Sequence, residues 1–531
     1  MAHECRLDPL RECRSCRRAA ARRGSADDCR MRGSPCHEKF LLDDDSHRST
    51  GAHMSYLYEL LSHAARSRPE HPAIDLGSSH VSYSEFLARV DHISKQLEIA
   101  GVSQRSRIAV AGSVGPWHLG LLMALASLDC AVVATSASER EAEANRFHNL
   151  SVSHVATCDE TTGQLTLTDL AAPPTTVTCA EAYVISTSGS TGQPKDLVVR
   201  DSALRHYGEH LMKSGRALDS DRISLTYNPA FDAFYEVLIL GFGAAATLVL
   251  PRGREHILVA RFCSERRVTS WNSVPSQLAM AYSLGHLEPR SLDFLRLIVV
   301  GGEAISPELL QTIRAAAPNA IVVNAYGPAE ATIGICEYVI LPHQDVAIHD
   351  GRVSIGAAIQ GVETRLHWSP TAGQFELLVR GPQRFDGYVD PRHNSRRFLD
   401  PQGQIRDGLR FTPGPEDWYM TGDLVTLESE HLFLLGRNDR TVKLMGKRVD
   451  LDEVERGLRG TCCIQDVAVE AINHEVRALA VRRRECRCAN PTEGSGLRPY
   501  ARPRTIIWVD AIPLLSSGKV DRRAVVRALE G

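Results

Sequence analysis

The sequence has no apolar run long enough to cross a bilayer. Its densest stretch, Leu238 to Leu250, is broken by Gly241 and Gly243, and a spanning helix needs about 20 apolar residues. It has almost no net charge: 61 Lys and Arg against 64 Asp and Glu leave −3. That balance gives no electrostatic reason to expect nucleic acid or a membrane as partner. The first residues lack the apolar core of a secretory signal. Fourteen cysteines are present, but those beyond residue 100 are scattered without a framework spacing. They read as free thiols in a reducing cytoplasm. What remains is 531 residues with 43% hydrophobic content, enough for more than one core.

Residues 1–53 differ from everything after them. They are rich in Arg and Cys and have no apolar periodicity, which reads as disorder or a non-native extension. Cys13 and Cys16, followed by Cys29, Cys36 and His37, are a weaker zinc candidate, because the second pair lacks the matching spacing. From Met54 the pattern is globular. Leu57, Leu60, Leu61 and Ala64 recur at helical spacing and Pro69 ends the run. A second helix is expected over Ser84 to Ile99, capped by Ser82 or Ser84. Strands alternate with helices through most of the chain, so the fold class is α/β with a mostly parallel, helix-covered sheet.

The stretch Tyr183 to Lys195 organises the reading. Tyr183, Val184 and Ile185 suit a buried strand. Thr187, Ser188, Gly189, Ser190, Thr191 and Gly192 then supply hydroxyls, backbone N–H groups and freedom to turn, and Lys195 adds a positive charge. Such a loop suits polyphosphate. It is not a Walker loop, which needs Lys directly after its second Gly. Residues 268–276, 294–305 and 321–334 read as further strand-then-turn units. Ligands collect beyond the carboxyl ends of such strands, so one shared crevice is expected. Tyr419 to Asp423 reads as another strand-to-turn unit ending in an acid. Asp232 sits in an apolar setting and needs a partner, either the N-terminus of its own helix or a cationic ligand group. Near the end, Ser516, Ser517 and Gly518 form a loop signal with Lys519 at its tip.

Seven ordered segments then define a resemblance: TSGSTGQPK (187–195), GGEA (301–304), NAYGPAEAT (324–332), FELLVRG (375–381), YMTGDL (419–424), GRNDRTVKLMGKRVDLDEVE (436–455) and PLLSSGKVDR (513–522). Over about Met54 to Leu529 the chain resembles the adenylate-forming superfamily of acyl-CoA synthetases, luciferases and nonribosomal peptide synthetase adenylation domains. It is most similar to a stand-alone amino-acid adenylation enzyme. The resemblance implies a large N-terminal domain over 54–436 and a small, mobile α+β C-terminal domain over 437–531, with Asp439 as the hinge. ATP and magnesium are the implied cofactors. Thr187 to Gly192 and Lys195 would embrace the β- and γ-phosphates. Gly302, Glu303 and Ala304 would pack one face of the adenine and Tyr326, beside Gly327, the other. Asn324 would face the adenine amino group. Asp423 and Arg437 would bind the ribose. Glu330, with Thr191, would hold magnesium, and Lys519 would be the central catalytic group alongside Glu330. Gly446 would line a pantetheine path.

The same resemblance places Asp232, Ala233, Tyr235, Asn272, Val299, Gly301, Ala325, Ile333 and Gly334 around the substrate side chain. Asp232 would meet a substrate ammonium, and the pocket suits a mid-sized apolar or aromatic amino acid. The expected partner is a separate phosphopantetheinylated carrier protein, or CoA, in natural-product biosynthesis. An acyl- or aryl-CoA ligase is the alternative activity, and a non-catalytic binding partner built on a degenerate adenylation fold the second. Three departures from the pattern bear on this. Ala329 stands where Thr is usual, Asp196 where Gly is usual, and FDAFYE (231–236) is one residue short. An acid at 196 would weaken nucleotide binding unless it points away.

Overall fold

A computed structural model describes residues 54–135, 143–170, 180–188, 194–370, 372–408, 411–444, 447–472, 475–483, 491–492, 495–515 and 519–530. The two helices expected first form where the pattern placed them. The first is Tyr56–Ser67. The second, Tyr83–Ile99, starts on a capping box: Ser82 accepts from the Glu85 N–H while Glu85 reaches back to the Ser82 N–H. Helix Pro116–Ser127 is apolar on every side and almost wholly buried, as an all-round hydrophobic helix must be. The readings of residues 1–53, of Gly189, Ser190, Thr191 and Gly192, of Gly446 and of Ser516 to Gly518 lie outside the described residues.

Three sheets carry the larger part of the chain. A nine-stranded sheet runs Ala357–Ala358, Cys336–Ile340, Ile321–Tyr326, Leu297–Gly301, Ser270–Ser273, Arg222–Ser224, Thr247–Val249, Pro72–Asp75 and His80–Ser82. Its middle is parallel; antiparallel pairs occur only toward its edges. A second sheet of six strands holds Arg107–Ala111, Ala131–Thr135 and Glu181–Ser188 in parallel, with Pro194–Arg200 antiparallel at its edge. The third, Glu363 to Arg437, is antiparallel throughout, a departure from the mostly parallel expectation. Its strand Trp418–Glu428 also runs straight through the expected turn at Gly422. Gly422 has φ +77°, and the pairing with the neighbouring strands shifts register beside it. The TGD sequence is therefore a bulge within a strand rather than a strand end.

A smaller α+β portion follows toward the C-terminal end of the described residues. Strands Ile464–Ile472, Glu475–Arg482 and Thr505–Val509 form one sheet. Alternation along the first strand decides which helix covers which face. Val467 and Val469 pack with Val454 and Leu458 of helix Leu451–Arg459. Ala468 packs with Val525 and Leu529 of helix Arg522–Glu530.

Candidate active site

The nine-stranded sheet sorts its side chains by register. Asn272 pairs with Val299, and Val299 with Val323; two steps on, Gly301 pairs with Ala325. Register partners share a face and residues two apart share it too. Asn272, Val299, Gly301 and Ala325, all assigned to the substrate pocket, are therefore on one face. The opposite face, with Ile298, Val300 and Val322, packs under helix Pro307–Ala316 through Leu310 and Ile313. Asn272 is 1% exposed, and neither atom of its carboxamide has a hydrogen-bond partner among the described residues. A buried, unsatisfied amide on the pocket face costs about 1–3 kcal/mol, which a polar ligand atom would offset.

Asp232 opens helix Asp232–Gly243 but does not cap it, since Phe231 is the capping position. Its Oδ1 accepts the Ala233 N–H at 2.9 Å and it also takes the Ile333 N–H. Burial pushes its carboxyl above the usual range, and Lys519 together with those N–H groups pulls it back. Tyr235 is more enclosed than a pocket-lining side chain. It is 2% exposed, its ring stacked on Tyr183 at 3.7 Å and 5°. Gly334 faces the ring of Tyr207, where an added Cβ would lie 3.1 Å away.

The loop after Tyr326 is strained. Thr332 (φ +55°) and Ile333 (φ +66°) are consecutive left-handed residues with side chains branched at Cβ. Gln383 holds them. Its Nε2 donates to the carbonyls of Ala331, Thr332 and Gly334 at 3.3, 3.0 and 2.9 Å, and its main-chain carbonyl accepts from the Thr332 hydroxyl. Gly327 permits the close approach. A Cβ there would meet the Ile333 carbonyl oxygen at 2.2 Å.

The proposed nucleotide residues fall into two groups. Asp423 and Arg437 are directly opposite across their strands. Arg437 donates to Asp423 Oδ1 at 2.8 Å and Tyr326 donates its hydroxyl to Oδ2 at 2.6 Å. Glu376, 3% exposed, accepts the Gly422 N–H at 2.8 Å and so fixes the bulge that presents Asp423. Asn324 donates from Nδ2 to the Ser354 carbonyl at 2.7 Å, an arrangement that orients its side-chain oxygen. The Glu303 carboxylate accepts from the Ser276 N–H and hydroxyl at 3.0 and 3.2 Å. Lys519 reaches this end from the smaller portion, its Cε 3.3 Å from where a Cβ at Gly302 would sit. Ala304 closes the same turn.

At the second group, Glu330 lies in the short helical turn Ala329–Ala331, 8% exposed. Tyr388 donates to its Oε1 at 2.6 Å and the Phe385 N–H to its main-chain carbonyl at 2.8 Å. Thr187 pairs with Lys195 across adjacent strands, and Ser188 ends its strand. Lys195 is 6% exposed. The acid at 196 is turned away from this end: Arg146 donates to it at 2.9 Å and Ser186 also bonds it. Asp439 lies in the turn Asn438–Arg440. Gln383, Tyr388 and Glu376 were not singled out from the sequence. The only local signal was the Gly-Pro and Asp-Gly punctuation around residues 381–388.

The AMP-binding enzyme family matches residues 61–389. Phosphinothricin tripeptide synthetase PhsC of Streptomyces viridochromogenes is 29% identical over 532 residues, 91% of this chain and 46% of that protein. Tyrocidine synthase 3 of Brevibacillus parabrevis is 30% identical over 363 residues, 65% of this chain and 5% of that protein. The chain thus spans less than half the length of either relative. The solved structure of IdnL7 superposes with a TM-score of 0.73 at 24% identity, covering 90% of this chain and 99% of its own. ATP-bound MatB from Rhodopseudomonas palustris gives 0.71 at 19%, covering 90% and 99%. Both share the fold described above. The match over residues 61–389, which takes in Lys195, Asp232, Glu330 and the loop that Gln383 holds, establishes that this chain belongs to the AMP-binding enzyme family of adenylate-forming ligases.

Proposed function

We propose that this enzyme adenylates an amino acid and then passes the aminoacyl group to the phosphopantetheine thiol of a separate carrier protein. In the first step a substrate carboxylate attacks the α-phosphorus of ATP, forming a C–O–P linkage and releasing pyrophosphate. Both reactants are anionic, so preorganised positive charge must offset their repulsion in the transition state. Lys519 supplies it at the carboxylate and bridging oxygen, and Lys195 with Thr187 to Gly192 at the leaving pyrophosphate. Asp423 and Arg437 seat the ribose, and Tyr326, Asn324 and Gly302 to Ala304 the adenine. Glu330, with Thr191, suits magnesium, which takes one or two protein carboxylates and completes its shell with phosphate and water oxygens. When bound, that ion would supply further positive charge at the phosphates. The region from 437 onward is read as a small domain turning about Asp439, with Gly446 on the thiol's path.

The observation that carries the amino-acid reading is Asp232. Its carboxylate is half-buried on the crevice side, held by two backbone N–H groups, and pushed above its usual range by burial. An ammonium at that place would stabilise the ionised form, whereas an uncharged substrate group would not. ATP–pyrophosphate exchange across amino acids and their desamino analogues tests this. Amino acids should be preferred, and Asp232→Ala should abolish that preference by raising KM for the amino acid. A preference for acids lacking an amine would instead assign the chain as an acyl-CoA ligase.

A further inference from the structure

Tyr388 lies between strand Gln374–Arg380 and the short turn Pro391–Asn394, outside every segment that carries the resemblance. Its hydroxyl donates to Glu330 Oε1 at 2.6 Å, and its ring lies 5.3 Å from Lys195 Nζ. One side chain therefore touches two charged groups of opposite sign at the phosphate end of the crevice. Its own place is fixed on several sides. The main-chain N–H donates to Asn394 Oδ1 at 2.8 Å, and the main chain bridges to Leu197, two residues beyond Lys195. The Phe385 ring packs edge-on at 5.0 Å. The Tyr419 hydroxyl is 3.3 Å from its own. Tyr388 is 6% exposed, so its bond to the carboxylate is shielded from competing water and correspondingly strong.

We propose that Tyr388 is a positioning residue for the metal–nucleotide complex, acting through Glu330. The hydroxyl sets the rotamer of the Glu330 carboxylate, and the ring, seated against the Lys195 ammonium, keeps the phenol in line with it. A carboxylate on a 3-10 turn otherwise has several rotamers to lose when a cation arrives. Partners of this kind change metal affinity about 10–100-fold when removed. The proposal rests on the reading of Glu330 as the metal carboxylate.

The test uses the full chain with a non-hydrolysable ATP analogue. Mn2+ binding is followed by electron paramagnetic resonance and folding by thermal melting. Tyr388→Phe keeps the ring against Lys195 and deletes only the hydroxyl. It should weaken Mn2+ binding about 10-fold, leaving KM for the carboxylic substrate unchanged. In a Glu330→Gln background the same change should have no further effect, an outcome that a purely packing role for the hydroxyl would not produce. Wild-type Mn2+ affinity in Tyr388→Phe, with weakened binding in Glu330→Gln, overturns the proposal alone. Wild-type affinity in Glu330→Gln overturns the assignment of Glu330, and the proposal with it. Equal losses from Tyr388→Phe in both backgrounds also overturn it.

Discussion

Glu236 and Glu455 are both glutamates nearly sealed from water, at 6% and 4% exposure, and their surroundings drive them in opposite directions. Glu236 lies one turn after Asp232 on helix Asp232–Gly243. Burial, then the neighbouring charge of Glu337, pushes it up to about 7, against Arg216 and the Tyr207 hydroxyl. Glu455 lies in the smaller C-terminal portion. Burial would raise it too, but Arg522, Arg459 and Arg440 overcome that and hold it down at about 2. Arg440 donates to it at 2.8 Å, and the Val469 N–H at 2.8 Å. The C-terminal cluster uses its charges on one another. Asp232 and Glu303 are raised by burial as well. Asp232, left above its usual range, is set up for an incoming cation, whereas Glu455, neutralised by three arginines, is set up for structure.

The largest effect that would break this contrast is structural. Glu455→Gln removes the negative charge shared by Arg440 and Arg522 and should cost about 3–5 kcal/mol in urea unfolding. A loss below about 1 kcal/mol would mean that the cluster is solvated and the contrast empty. Next, Lys519→Ala should lower adenylate formation about 10²–10³-fold with an unchanged melting curve, since Lys519 is an exposed side chain on a loop. An equally active variant would remove the crevice from the chemistry. The smallest effect sharpens the comparison through pH. Glu236, raised in the fold, binds its proton more tightly there than when unfolded. Stability from this group is present below pH 4.5 and declines as pH rises toward about 7, by at most about 1.4 kcal/mol per unit. Glu455, depressed in the fold, behaves oppositely. Its contribution is complete above pH 4.5 and is lost as pH falls toward about 2. Glu236→Gln should flatten the first slope and leave the second in place. Asp232, on the same helix, with Glu337, Arg216 and the hydroxyls of Tyr207 and Tyr227, faces Glu236 and sets where it titrates.

Elements with a local cause were legible in the sequence. Ser82 and Glu85 mark a helix start by their spacing alone. The strands ending at Gly301 and Tyr326 were legible as β-branched runs followed by small residues, and the one ending at Ser273 as a strand-then-turn unit. Gly422 misled, because a glycine beside an acid looks alike in a turn and in a bulge; only pairing on both sides distinguishes them. The antiparallel character of the third sheet was hidden for the same reason. Gln383 and Tyr388 were silent. Gln383 acts on residues 49–52 positions away and Tyr388 on one 58 away, distances at which one sequence carries no pattern. Asp196 looked like a defect in the phosphate loop, since its neutralising partner Arg146 is 50 residues upstream.

The clamped turn after Tyr326 limits how this part of the chain can change. Gln383 grips the carbonyls of Ala331, Thr332 and Gly334 and so holds Thr332 and Ile333 in place, and a methyl group at Gly334 would press on the Tyr207 ring. Tyr207, a fully buried ring on helix Asp201–Lys213, is the other partner in that contact, and trimming it would relieve the contact without removing any bond that Gln383 makes. Of the two, position 207 can change by losing atoms, whereas the glycine opposite it can only add them.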